Sequence, residues 1–364
     1  MIHLITTSNP SKQLLKMVES FMQGRQYIKI DRSSKMPDMK HKKILFASEL
    51  DEIGIDISII EVFKKLYASE PSTAVPLQGS IAGILIHSKN ELFTKSFSSH
   101  IVFLANQLGC RFIGHPMVEA TGDLTNFRTW QKRYDMSLND IALKISSKLG
   151  ERFNAFPETN QCGDKGKFSL SPYETQKKRP SILALHASNR DTSNTLTLWN
   201  MVKKHLEDCK IDELHVQNGT IYDCNGCPFK VCLHYSRQEG CFYGGTITTE
   251  VFPAIEKADI VVWICPNYND SISANLMSVV NRLTALYKKI SLHDKSIFAI
   301  IVSGNSGGDS VAKQLISALN INKGFQLPPN FALIETANDF GAILRVKNIE
   351  DRAKRFAENI QRDL

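Results

Sequence analysis

The chain has 364 residues, 42% of them hydrophobic and 22% charged. That balance supplies core for two domains of ordinary size and excludes a disordered or fibrous chain. No run approaches the roughly 18 apolar residues of a membrane span. Met1-Ile2-His3-Leu4-Ile5 lacks a basic stretch and passes into polar residues, so no signal peptide is expected and the protein reads as soluble and cytoplasmic. The net charge is +7; residues 1–179 carry 25 Lys+Arg against 18 Asp+Glu, and residues 180–364 carry 19 of each. The excess sits in short clusters such as Lys40-His41-Lys42-Lys43. Nucleic acid demands a denser basic tract interleaved with aromatics, so no nucleic-acid partner is expected.

In chain order, the first strand-like run is His3-Leu4-Ile5-Thr6-Thr7-Ser8-Asn9, with a helical segment behind it. Lys43 to Ser48 and Ile81 to Ser88 read as further buried strands. A helical pattern over Ser99 to Leu108 and a short strand near Arg111-Phe112-Ile113 close the first half. Residues 156–179 hold Pro157, Gly163, Gly166, Pro172 and Lys177-Lys178-Arg179; they read as a linker. The same succession then repeats. Leu183 to Asn189 resembles His3 to Asn9, Ile260 to Cys265 stands in the place of Lys43 to Ser48, and Ile297 to Gly304 parallels Ile81 to Ser88. A helical pattern over Val311 to Leu319 and a strand near Phe331 to Ile334 complete it. Apolar strands alternating with helices predict parallel sheets covered on both faces. The expected domains are 1–155 and 180–364, and the second carries a longer insertion, 218–249, with four of the eight cysteines.

The second half resembles the flavodoxin-like NAD(P)H-dependent FMN reductases, which include quinone reductases and iron–sulfur flavoproteins. The residues that carry the resemblance are Ser188-Asn189-Arg190-Asp191-Thr192-Ser193-Asn194-Thr195, Cys224-Asn225-Gly226-Cys227, Ala258-Asp259-Ile260-Val261-Val262 with Pro266-Asn267-Tyr268, then Ser273-Ala274-Asn275-Leu276 and Asn281-Arg282. The resemblance covers about 180–340. It implies an α/β fold of two flavodoxin-like doubly wound parallel sheets in tandem. It also implies FMN as cofactor, NAD(P)H as electron donor and a small-molecule acceptor such as a quinone or a flavin. The alternatives are an electron carrier serving a protein partner, or a cofactor-free scaffold. A homodimer is compatible with it.

The first loop suits a phosphate: it opens a helix, whose N-terminus favours anions. Ser188, Ser193, Asn194 and Thr195 offer donors, and Arg190 offers a guanidinium. Pro266, Asn267, Tyr268 and Asn269 are expected to lay backbone amides and an aromatic edge along the flavin ring. Ser303 and Gly304, within Ser303-Gly304-Asn305-Ser306-Gly307-Gly308, would let backbone N–H groups approach its polar edge. No acid–base residue is required, and His186 and His234 read as loop or core residues. Cys265 is expected to pack in the core.

Cys224, Cys227, Cys232 and Cys241 form C-x2-C-x4-C-x8-C, and four thiolates this close can surround a metal. The resemblance implies a [4Fe–4S] centre there; zinc, or free and redox-active thiols, remain open. The first half keeps the strand plan and changes the loops. Its Thr7-Ser8-Asn9-Pro10-Ser11-Lys12 could hold an anion, but Ser48-Glu49-Leu50-Asp51-Glu52 places three carboxylates where a flavin ring would sit. The first half is therefore expected to lack FMN and to serve as an interface, a lid over the second half or a mimic of a second protomer.

Overall fold

The computed structural model describes residues 1–68, 75–156, 179–188, 192–217, 221–238 and 240–364. The chain divides into two compact units, Met1–Asp164 and Lys165–Leu364. The linker expected at 156–179 lies, apart from its end residues, outside the described residues.

The first unit runs β1 (Ile2–Thr6), α1 (Lys12–Met22), β2 (Tyr27–Ile30), β3 (Lys43–Leu50), α2 (Ile57–Ala68), β4 (Ile81–Ser88), α3 (Thr94–Gln107), β5 (Arg111–Thr121), α4 (Arg128–Tyr134) and α5 (Leu138–Ala155). The second runs β6 (Ser181–His186), α6 (Asn194–Lys203), β7 (Lys210–His215), α7 (Phe229–Gln238), α8 (Phe252–Lys257), β8 (Ile260–Pro266), α9 (Ala274–Lys289), β9 (Ser296–Ser303), α10 (Gly308–Leu315), β10 (Ala332–Thr336) and α11 (Ile349–Arg362). The sheets are ordered β2-β1-β3-β4-β5 and β7-β6-β8-β9-β10, and every strand pair is parallel. Numbered within its own unit, each sheet has the order 2-1-3-4-5. That is the flavodoxin-like doubly wound plan, which places a ligand crevice between the ends of the first and third strands.

The strands form where the sequence is apolar without alternation. All eight residues of β4 are buried, as are the first six of β8. Such segments need helices on both faces. Trp263 within β8 and Trp199 on α6 are fully buried. Helix starts are set by serine caps: Ser11 Oγ accepts from Leu14 N on α1, Ser137 Oγ from Asp140 N on α5, and Ser193 Oγ from Leu196 N on α6. Such caps satisfy amides that a helix end leaves orphaned.

β5 is longer than its sequence suggests. The short strand expected near Arg111-Phe112-Ile113 continues to Thr121 through a register shift opposite Ala82/Ile84, with His115 at φ +50°. The chain spends the extra residues in a bulge and resumes pairing. α3 begins at Thr94, five residues before the expected helical pattern. Among the described residues no helix is long and apolar enough to cross a membrane.

α1 and α5 meet backbone to backbone. A Cβ at Gly150 would stand 2.2 Å from the Phe21 carbonyl oxygen. Gly150→Val is therefore expected to destabilise the first unit by about 2–3 kcal/mol, read as an earlier midpoint in urea unfolding; an unshifted midpoint would show that the helices can part cheaply.

Candidate functional site

The site of the second unit hangs from the carboxyl ends of β6, β8 and β9. The first loop leaves β6 after His186, whose buried ring stacks on His215 with centroids 4.6 Å apart. Both histidines are thereby packing residues. Ser188 follows, 2% exposed, and its Oγ has no hydrogen-bond partner among the described residues. Arg190 lies outside the described residues. Ser193 caps α6, so its oxygen already accepts one bond from its own helix. Thr195 is buried in the first turn of α6.

Asn194 does something its sequence context did not announce. Its Nδ2 donates to the carbonyls of Ala337 at 3.2 Å and Asp339 at 2.8 Å, and its Oδ1 accepts from Ile343 N at 3.4 Å. The carboxamide expected to face a phosphate is spent tying the head of α6 to the segment after β10. Those partners are some 140 residues further on, beyond any local reading of the loop.

The second loop is a preformed tight turn. Tyr268 and Ser271 exchange two backbone hydrogen bonds of 3.1 Å, and Asn269 and Asp270 between them sit at φ +52° and +59°. Two consecutive left-handed residues make a type I′ turn, and Asn and Asp are among the few side chains that tolerate it. Tyr268 remains 54% exposed. The amides of Asn267 and Tyr268, expected to face the ring, are instead used within the protein, the first by the Val302 carbonyl at 2.9 Å and the second by Ser271.

Asn267 is the clasp between loops. Its Nδ2 donates to Ser306 O at 2.7 Å, to Ser303 Oγ at 3.1 Å and to Asp270 Oδ1 at 3.3 Å, while its buried Oδ1 has no partner among the described residues. Gln314 of α10, which sequence reasoning missed, holds the far side of the turn: Nε2 donates to Asp270 O at 3.0 Å and Oε1 accepts from Ile272 N at 3.2 Å. In the third loop the glycines answer to protein as much as to any ligand. Gly307 lies at φ +85°, and a Cβ there would fall 1.7 Å from Asp270 Oδ1; at Gly304 it would stand 3.0 Å from Asn338 Oδ1.

Three buried polar atoms are left without partners here: Ser188 Oγ, Asn267 Oδ1 and Ser273 Oγ. They follow β6 and β8, which pair directly on either side of the crevice position. Buried polar groups are normally satisfied, and a polar ligand or an ordered water could complete the bonding of these three. Their donors and acceptors fit a phosphate and a polar ring edge. Cys265 is fully buried and burial pushes its thiol far up, so it packs as an apolar residue.

The cysteine-rich insertion forms a separate feature. Cys224, Cys227, Cys232 and Cys241 all line one cavity of about 260 Å³, with Phe229, Tyr235, Phe242 and Tyr243 as aromatic walls. Among the described residues no group of three or more His, Cys, Asp or Glu side chains is placed to hold a metal ion.

The first unit has rebuilt its crevice around a carboxylate. Glu49, at the end of β3, accepts the Ser11 amide on Oε2 at 3.2 Å and pairs with His87 Nδ1 on Oε1 at 2.5 Å. Ser11 caps α1, so this carboxylate occupies the head of the helix where an anion would be drawn. Sequence reading placed Glu49 with Asp51 and Glu52 on the ring side. The structure instead gives Glu49 the anion position and leaves Asp51 and Glu52 exposed beside it.

With the geometry in place, comparison with known proteins finds a family match within the second unit. Residues 180–339 match the NADPH-dependent FMN reductase family. No curated protein matches the chain. Similar solved structures include the NAD(P)H:quinone oxidoreductase from Methanothermobacter marburgensis, 14% identical, covering 50% of this chain and 100% of its own, with a TM-score of 0.38. RosB with bound 8-demethyl-8-formylriboflavin-5′-phosphate is 16% identical and covers 50% of this chain and 77% of its own, with a TM-score of 0.38. The Trp repressor binding protein from Bacillus subtilis is 15% identical, with coverages of 48% and 96% and a TM-score of 0.33. The assignment of the fold rests on the strand order of the chain itself.

The clasp makes a direct prediction. Asn267→Ala leaves the Ser306 carbonyl and Ser303 hydroxyl without their donor, so it is expected to cost about 1–3 kcal/mol in thermal or urea unfolding of the FMN-free protein. An unchanged stability would show that the turn holds itself and that Asn267 is spare.

Proposed function

We propose that the chain binds one FMN, in the second unit, and passes electrons from NAD(P)H through it to a small acceptor such as a quinone or a free flavin. The observation that carries this reading is the set of unpartnered buried polar atoms at the β6/β8 ends, in a segment that matches the FMN reductase family. When bound, the flavin supplies hydride acceptance and electron donation; the protein binds, orients and shields it.

The roles of the chain's own residues follow. Ser188 Oγ and the N-terminus of α6 meet the phosphate, with the Arg190 guanidinium and Thr195 completing the loop. Asn194 acts at one remove, by holding the head of α6 against the loop after β10. The type I′ turn presents the amides of Asn269 and Asp270, which make no hydrogen bond among the described residues, and sets Tyr268 at the open edge. The 303–307 segment supplies small residues, kept in place by the Asn267 clasp. In the first unit the Glu49 carboxylate takes the anion position, so FMN is excluded there.

Ser188→Ala removes a hydroxyl that has no partner without ligand. It is expected to leave FMN-free stability unchanged while weakening FMN binding by roughly tenfold, read by fluorescence titration of FMN. Equal affinity would remove Ser188 from the phosphate site. Under anaerobic conditions NADPH or NADH is expected to bleach the bound flavin; reduction by dithionite alone would favour the electron carrier over the reductase.

A further inference from the structure

The cavity of the cysteine-rich insertion carries an unbalanced charge. Arg282, in the middle of α9, is 2% exposed and lines it. Its Nη1 donates to Tyr222 O at 3.2 Å and its Nη2 to Gly244 O at 2.7 Å, so the guanidinium straps both ends of the insertion to the helix. Its Nε is buried and has no partner among the described residues. The neighbouring carboxylate, Asp223, is engaged elsewhere, accepting from Cys224 N at 2.6 Å and from Asn281 Nδ2 at 3.0 Å. Lys288, one and a half turns along α9, also lines the cavity, and its Nζ stands 4.5 Å from the centre of the Phe229 ring. Among the described residues the lining therefore contains two cations and no carboxylate.

Buried cations without counter-charge are costly, so an anion reaching this position would gain a charge-assisted contact. The rest of the wall is apolar and flat-sided. Phe229, Tyr235, Phe242 and Tyr243 line it; Tyr235 and Phe242 pack with centroids 4.8 Å apart, and Phe242 meets Tyr243 edge-on at 5.1 Å. The four thiols add soft, polarizable surface. At about 260 Å³ the space is below that of a drug-sized site, which starts near 300 Å³, and suits one or two fused rings. We propose that this cavity is a binding site for a small aromatic anion, a one- or two-ring compound bearing a carboxylate or an acidic oxygen. The rings lie among the aromatic side chains, and the acidic group is drawn to the Arg282 and Lys288 end. This site stands apart from the assignment of FMN to the β6/β8 crevice.

The experiment uses the full chain as purified, with its flavin and metal content measured first. 2-Naphthoate is titrated by calorimetry against 2-naphthalenemethanol, which has the same rings and no charge. Binding of the carboxylate at least roughly tenfold tighter than the alcohol is expected, the usual worth of a charge-assisted contact. Thr284→Phe fills the cavity from α9 without touching the Arg282 strap, and is expected to abolish naphthoate binding while the flavin content stays as in the parent. Lys288→Gln is expected to reduce the preference for the carboxylate. Equal binding of acid and alcohol, or full naphthoate affinity in Thr284→Phe, would overturn the proposal. So would a protein that carries metal on the four thiols and takes up no naphthoate once the metal is chelated.

Discussion

A parallel sheet buried on both faces has one place to put chemistry, the ends of its strands. Within β4, β8 and β9 nearly every side chain is committed to packing. Polar atoms can face a ligand only where the chain leaves the sheet. The 2-1-3-4-5 order then sends the loops after the first and third strands to opposite faces, and the gap between them is the crevice. Ser188 and Asn267, on the adjacent ends of β6 and β8, hold their unpartnered atoms there because this order allows it.

The two units show how one plan carries two outcomes. Both open with a strand, a loop and a serine-capped helix, with Ser11 and Ser193 in equivalent capping roles. In the second unit Asn194 anchors the head of the helix to the segment after β10. In the first, Glu49 reaches across from β3 to the Ser11 amide and His87. One carboxylate thus satisfies from within the chain the donors that would otherwise attract an anion.

Much of the fold was legible because it depends on local pattern. Runs such as Ile81 to Ser88 and Ile260 to Cys265 are too uniformly apolar for any surface element, and their alternation with helices dictates a covered parallel sheet. β5 was only half legible, since Gly114 and Pro116 mark a turn in most settings and a bulge in this one. The candidate site was readable as three loops, but not as bonding. Asn194, Asn267 and Gln314 work through partners on distant elements, and side-chain type alone does not distinguish a ligand donor from a structural tie. Two backbone amides assigned to the ring proved to be internal, that of Asn267 through distant Val302 and that of Tyr268 through Ser271 of the same turn. The tight turn was partly legible, since Asn and Asp are among the residues that tolerate the left-handed backbone of such turns.

The central claim is that one crevice of the two remains open to flavin. Heat-released flavin, quantified against chain concentration in protein saturated with FMN and freed of excess, tests it most directly. The account predicts close to one FMN per chain in the parent protein. Two FMN per chain would show that Glu49 does not close the first crevice, and none would show that the polar atoms at the β6/β8 ends serve some other ligand.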